Sequence, residues 1–123
     1  TTAFDPNFAS KFDDTNHADL GKGVVVEKNG AAGSGKFRAN EARAEYAHRI
    51  RTLLDKEGIA WQTGALAKLG VGGGGTISPF LSRYGLDCID AGPALLGMHS
   101  PFELSSKFDL ASTYQLYRAF FSN

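Results

Sequence analysis

Gly23-Val24-Val25-Val26 is the stretch on which the fold turns. Three consecutive β-branched residues favour extended backbone and read as a short buried strand. The loop that follows is Asn29-Gly30-Ala31-Ala32-Gly33-Ser34-Gly35-Lys36. Asn40 then suits a helix N-cap. Beyond it Ala42, Tyr46, Ile50, Leu53 and Leu54 share one helical face, with Glu41, Arg43, Arg49, Arg51 and Lys56 elsewhere. Gly58 supplies a stop, and Ile59-Ala60-Trp61-Gln62 opens a second extended segment. Thr76 or Ser78 caps a second helix, with Pro79 in its first turn and an end at Gly85. Leu86-Asp87-Cys88-Ile89-Asp90 reads as a third strand, broken by Gly92-Pro93. A last helix runs from about Asp109 to Phe121, with Leu110, Tyr114, Tyr117 and Phe121 on one face. Residues 1–22 are polar and irregular, with Asp13, Asp14, Asn16 and Asp19 marking turns. The alternation of strand and helix predicts an α/β fold, a layered sheet flanked by helices.

The 123 residues make one domain's length. Thirteen Lys and Arg balance thirteen Asp and Glu, which argues against a nucleic-acid partner or a membrane-surface partner. No apolar run has the length of a membrane span. The single Cys88 excludes an internal disulfide and a Cys-only zinc site, and a cytoplasmic location is expected. The opening Thr1-Thr2-Ala3-Phe4 carries no natural start, so a piece of a larger protein is expected. Thr1 as an N-terminal nucleophile is disfavoured because Asp5-Pro6-Asn7 turns at once.

Four groups of residues invite a chemical reading. Gly30 to Lys36 matches the glycine-and-lysine half of a phosphate-binding loop. Phe37 follows, however, where a Ser or Thr must meet magnesium; the alternative is a Gly/Ser-rich surface connection. Gly72-Gly73-Gly74-Gly75-Thr76 stands at a helix entrance, where bare N–H groups receive an anion or a close substrate; the alternative is a mobile linker. Among His17, His48 and His99, the last sits where an apolar segment turns. It reads either as a metal ligand or as a buried structural histidine. Asp87 and Asp90 point to opposite faces of a strand and make no acid–base pair. Asp5 and Glu103 read as turn or surface residues.

Three runs together carry a resemblance. They are Gly73-Gly74-Gly75-Thr76-Ile77-Ser78, then Leu86-Asp87-Cys88-Ile89-Asp90-Ala91-Gly92, then Leu95-Leu96-Gly97-Met98-His99-Ser100-Pro101-Phe102-Glu103. With Ala3-Phe4-Asp5-Pro6-Asn7-Phe8, Lys22-Gly23-Val24-Val25-Val26, Asn40 and Glu45, they resemble the aminopeptidase I and aspartyl aminopeptidase family of dinuclear zinc peptidases. The resemblance covers nearly the whole chain in the family's order.

The resemblance implies that residues 1–123 are the C-terminal segment of a metalloaminopeptidase catalytic domain. It implies two zinc ions in the complete enzyme, with cobalt or manganese as substitutes. His99 is the one metal ligand implied here, and no catalytic residue lies in this chain; the remaining ligands and the catalytic carboxylate belong to the upstream part of the same domain. Gly74, Gly75 and Thr76 are implied to border the peptide substrate. A homo-oligomer, commonly a dodecamer, is also implied. The acid-preferring branch resembles Ala-x-His-Pro-Asn where this chain has Asp5, and it carries a lysine near Glu27-Lys28. A preference for neutral or basic N-terminal residues is therefore expected. The other readings are a nucleotide-binding domain using Gly30–Lys36 and a non-catalytic structural remnant.

Overall fold

The computed structural model describes residues 1–30, 40–65, 68 and 76–122. After a 3-10 helix at Pro6–Lys11, the chain forms β1 (Val24–Glu27), β2 (Asn29–Gly30), β3 (Asn40–Glu41) and α1 (Ala44–Lys56). It continues through β4 (Trp61–Thr63), α2 (Ser78–Ser82), β5 (Asp90–Gly92), β6 (Leu95–Leu96), β7 (Leu104–Ser105) and α3 (Lys107–Phe121). Strand β1 is central in a three-stranded sheet of order β4-β1-β5. It runs parallel to β4, with Val24 opposite Trp61, and antiparallel to β5, with Glu27 opposite Asp90. Two antiparallel pairs, β2–β3 and β6–β7, stand beside this sheet. The α/β expectation is met.

Alternation along β1 sends its side chains to two different interiors. Val24 and Val26 join Ile50 and Leu54 of α1, Ile59 and Leu116 of α3 in the larger core, with Tyr46, Leu53, Trp61 and Ala91 packed against it. Val25 faces the other way, into a small cluster with Ala3, Ala18 and Ala94. The polar opening is therefore folded in: Ala3 N–H donates to the Leu95 carbonyl, and Phe4 N–H to that of Ala18.

The entry to β1 is fixed by two features. Gly23 has φ +95°, and a Cβ there would stand 2.2 Å from the Ala60 carbonyl oxygen, so only glycine fits. Asp109, in the first turn of α3, is fully buried. Its Oδ2 accepts from Gly21 N–H and its Oδ1 from Gly23 N–H, each at 2.8 Å.

Several boundaries depart from expectation. Asn40 does not cap α1; it pairs with Gly30 across β2–β3. The helix starts at Ala44, with Arg43 in extended conformation before it and no side-chain cap. Neither Thr76 nor Ser78 is the N-cap of α2, which is Ile77. Thr76 Oγ1 still takes the Ser78 N–H at 3.3 Å, and the helix ends at Ser82. The third strand slides forward to Asp90–Gly92 because β1 ends at Glu27, opposite Asp90, leaving residues 86–89 nothing on β1 to pair with.

The apolar stripe of α3 faces outward. Leu110, Tyr114, Tyr117 and Phe121 are 59, 65, 46 and 81% exposed, while Asp109, Ser112, Thr113 and Leu116 turn inward. The two bonds from Asp109 to Gly21 and Gly23 set the rotation of the helix about its axis.

Candidate functional site

Strands β6 and β7 form a hairpin whose tight loop carries His99. At Gly97, with φ +68°, an added Cβ would meet the Phe102 carbonyl oxygen at 2.6 Å. His99 itself has φ +66°, the one positive value at a non-glycine among the described residues. An L-residue in that region costs about 1–2 kcal/mol. Glu103 offsets that cost: its Oε1 accepts the His99 N–H at 2.6 Å. Ser100 Oγ donates to the Phe102 carbonyl and completes the loop. The imidazole is held outward at the surface, so His99 is not a buried structural histidine.

The other histidines lie elsewhere. His17 packs on the Phe4 ring at 4.4 Å, with Nδ1 2.9 Å from the Asp13 carbonyl and Nε2 3.8 Å from Asp19. His48 is exposed on α1, beside Thr52. Asp5 caps the 3-10 helix by accepting the Asn7 N–H at 2.9 Å, as a turn residue should. Among the described residues no three His, Cys, Asp or Glu side chains converge on a point a metal could occupy. His99 offers one good zinc ligand, and a zinc site needs more.

A second cluster lies where β1 ends against β5. The register places Glu27 opposite Asp90, and residues so paired project to one face with Cβ atoms roughly 5 Å apart. Asp90 is anchored by two hydroxyl donors: Thr76 Oγ1 reaches Oδ2 at 3.0 Å and Ser78 Oγ reaches Oδ1 at 2.9 Å. Glu27 is only 3% exposed, and its Oε1 has no hydrogen-bond partner among the described residues. Burial pushes its carboxyl up to about 7; the Thr1 ammonium pulls the other way, and Asp90 adds to the rise. Burial in turn lowers the Thr1 ammonium, which donates to the Pro93 carbonyl at 3.0 Å.

Asp87 and Asp90 make no pair, as expected; Asp87 lies 3.8 Å from Arg43. The pair that does form, Glu27 with Asp90, escaped sequence reasoning. Its signal was a lone carboxylate closing a β-branched run, Val24-Val25-Val26-Glu27.

Of the expected substrate-binding residues, Thr76 is seen hydrogen-bonded to Asp90, while Gly74 and Gly75 lie outside the described residues, as does Lys36. The phosphate-loop reading also loses its context. That motif passes from strand directly into helix, but here Asn40 and Glu41 return to pair with Asn29 and Gly30 before α1 begins.

A sequence model of the aminopeptidase I zinc metalloprotease (M18) family matches residues 1–121. The chain belongs to this family. A probable M18 family aminopeptidase 1 of Thermotoga maritima is 48% identical over 117 residues, 95% of this chain and 26% of that protein. The crystal structure of aminopeptidase I from Clostridium acetobutylicum superimposes with a TM-score of 0.91 at 46% identity, over 100% of this chain and 27% of that one. The dodecameric PhTET1-12s shares the fold at 24% identity, TM-score 0.63, over 84% of this chain and 27% of that one. This M18 chain therefore spans about a quarter of the length of the relatives it matches. The described part of the family's fold is the α/β portion expected from the sequence, and it contains no helix long and apolar enough to cross a membrane.

Proposed function

We propose that this chain is one part of a zinc-dependent aminopeptidase that removes N-terminal residues from peptides, with His99 as its contribution to the metal centre. The observation that carries this reading is His99 itself. It is an exposed imidazole held at φ +66° by the Glu103 carboxylate, in a chain of a zinc-metalloprotease family. Backbone strain maintained by specific bonds is a mark of functional positions. Zinc, when bound, activates a coordinated water and polarises the scissile carbonyl. His99 would hold one ion, and Glu103 would fix the direction in which that ring is offered. Thr76, with Gly74 and Gly75, would border the peptide. The other ligands and the general base come from the rest of the domain.

The same proposal places residues 1–123 as the C-terminal segment of that domain, on the order of the motifs. A full-length reading frame that opens with this stretch would overturn the placement. Exposed apolar surface supports incompleteness. Ile77, Tyr84, Phe102 and Phe121 are 72 to 90% exposed. The outer edge of β5 closes the sheet on one side. Such surface asks for a partner, and the remainder of the same domain is the one proposed, with assembly into a homo-oligomer, commonly a dodecamer, beyond it. The two-ion count, replacement by cobalt or manganese and a cytoplasmic location belong to the same reading.

The test uses the full-length protein. Aminoacyl 4-nitroanilide hydrolysis that is lost on chelation and restored by zinc is expected, whereas residues 1–123 alone should be inactive. Turnover that survives complete removal of metal would overturn the reading.

A further inference from the structure

Two carboxylates opposite each other on neighbouring strands repel, and such a register is disfavoured unless a cation or a proton lies between them. Glu27 and Asp90 occupy that register. The surroundings do not neutralise both. Asp90 is saturated by Thr76 and Ser78, whereas Glu27 Oε1 is shut from solvent and takes no donor among the described residues. The Thr1 Oγ1 beside it is likewise buried without a partner. The next cation along the strand, Lys28, turns away to Glu41 at 3.1 Å. The pair is a buried acceptor site lacking its donor.

Two connections tie this site to the proposed active centre. Thr76, which would border the substrate, is bonded to Asp90. Thr1 lies in the field of both carboxylates, and the next residue, Thr2, places its Oγ1 3.8 Å from Met98 Sδ, beside His99. Two extended residues span about 7 Å. A reach of that order is that of an extended basic side chain. The α-ammonium lies only two bonds from the scissile carbonyl and must stay closer to the metal.

The geometry points to Glu27, supported by Asp90, as the residue that receives the ammonium or guanidinium of a basic N-terminal side chain, so that the intact enzyme favours peptides beginning with lysine or arginine. This inference rests on the aminopeptidase reading and gives it a substrate class. A charge-assisted bond in a dry site discriminates strongly, because the uncharged analogue leaves the carboxylate unpaired. Asp90 is held in place by its two hydroxyl donors and positions Glu27 by repulsion.

The experiment compares lysyl-, norleucyl- and glutamyl-4-nitroanilide with full-length zinc-loaded enzyme. The wild type should favour lysyl over norleucyl by about tenfold or more in kcat/KM, mainly through KM. Glu27→Gln should erase that ratio while leaving norleucyl turnover and zinc content intact. Glu27→Lys should raise glutamyl over lysyl turnover, a reversal that a merely structural role would not produce. Free lysine should inhibit the wild type more strongly than norleucine, and the variants should lose the difference. An unchanged lysyl-to-norleucyl ratio in Glu27→Gln would overturn the inference. So would an equal loss on all three substrates, which would place the common α-ammonium at the pair. Absence of turnover on every substrate by the zinc-loaded wild type would bring down the aminopeptidase reading and this inference with it.

Discussion

Asp109 and Glu27 are both buried carboxylates next to the same strand, yet their surroundings differ. At the start of β1, Asp109 is fully buried and both its oxygens are used by backbone N–H groups at 2.8 Å. It lies in the first turn of α3, where the helix dipole also favours negative charge. At the other end, Glu27 is as deeply buried, faces a second carboxylate and leaves one oxygen without a donor. A buried charge with every bond satisfied is part of the architecture; one left partly unsatisfied costs stability and is kept for another use. The start of β1 holds the fold, and its end is chemically poised.

Breaking the structural end should have the largest effect. Gly23→Ala puts a Cβ 2.2 Å from a backbone oxygen that has no flexible end to give, at a φ of +95°. The intact protein carrying it should fail to accumulate in folded form, measured by soluble yield and circular dichroism. Asp109→Ala comes next. It leaves two buried N–H groups unpaired, at about 1–3 kcal/mol each. Chemical denaturation should show a loss of about 2–6 kcal/mol, and an unchanged midpoint would remove Asp109 from its structural role.

The poised end should respond to pH instead. Burial raises the Glu27 carboxyl from 4.5 to about 7. Between those values the folded state keeps a proton that the unfolded chain has released, so stability falls as pH rises through that window. The full loss above pH 7 is on the order of 3 kcal/mol. Glu27→Gln carries no ionisable group, so it should flatten this dependence and hold its stability from pH 5 to 8, as followed by urea midpoints across the range. Tyr117→Phe should have the smallest effect. It removes one exposed bond, from the phenol to the Ala91 carbonyl at 2.6 Å on the edge strand, and should cost about 1 kcal/mol or less.

The same contrast explains what was legible in the sequence. Local patterns carried β1, α1 and the strand–helix alternation: three valines in a row, and Tyr46, Ile50, Leu53 and Leu54 at helical spacing. His99 was found because a motif surrounds it. Long-range features escaped. Asp109 meets Gly23 from 86 residues away, and that contact, invisible to periodicity, turned the apolar stripe of α3 outward. Glu27 escaped because its significance lies in Asp90, brought opposite by a register that begins four residues later than the third strand was expected to. Asn40 misled because a good capping residue is also at home in a turn-rich strand pair.

The account's central claim is that this segment supplies His99 to a zinc centre completed by the rest of the protein. Metal analysis of the purified full-length protein, wild type against His99→Ala, tests it most directly. The expected result is a loss of bound zinc and of peptidase activity in the variant, with its melting temperature nearly unchanged because His99 is exposed. A variant that keeps the wild-type zinc content would contradict the claim.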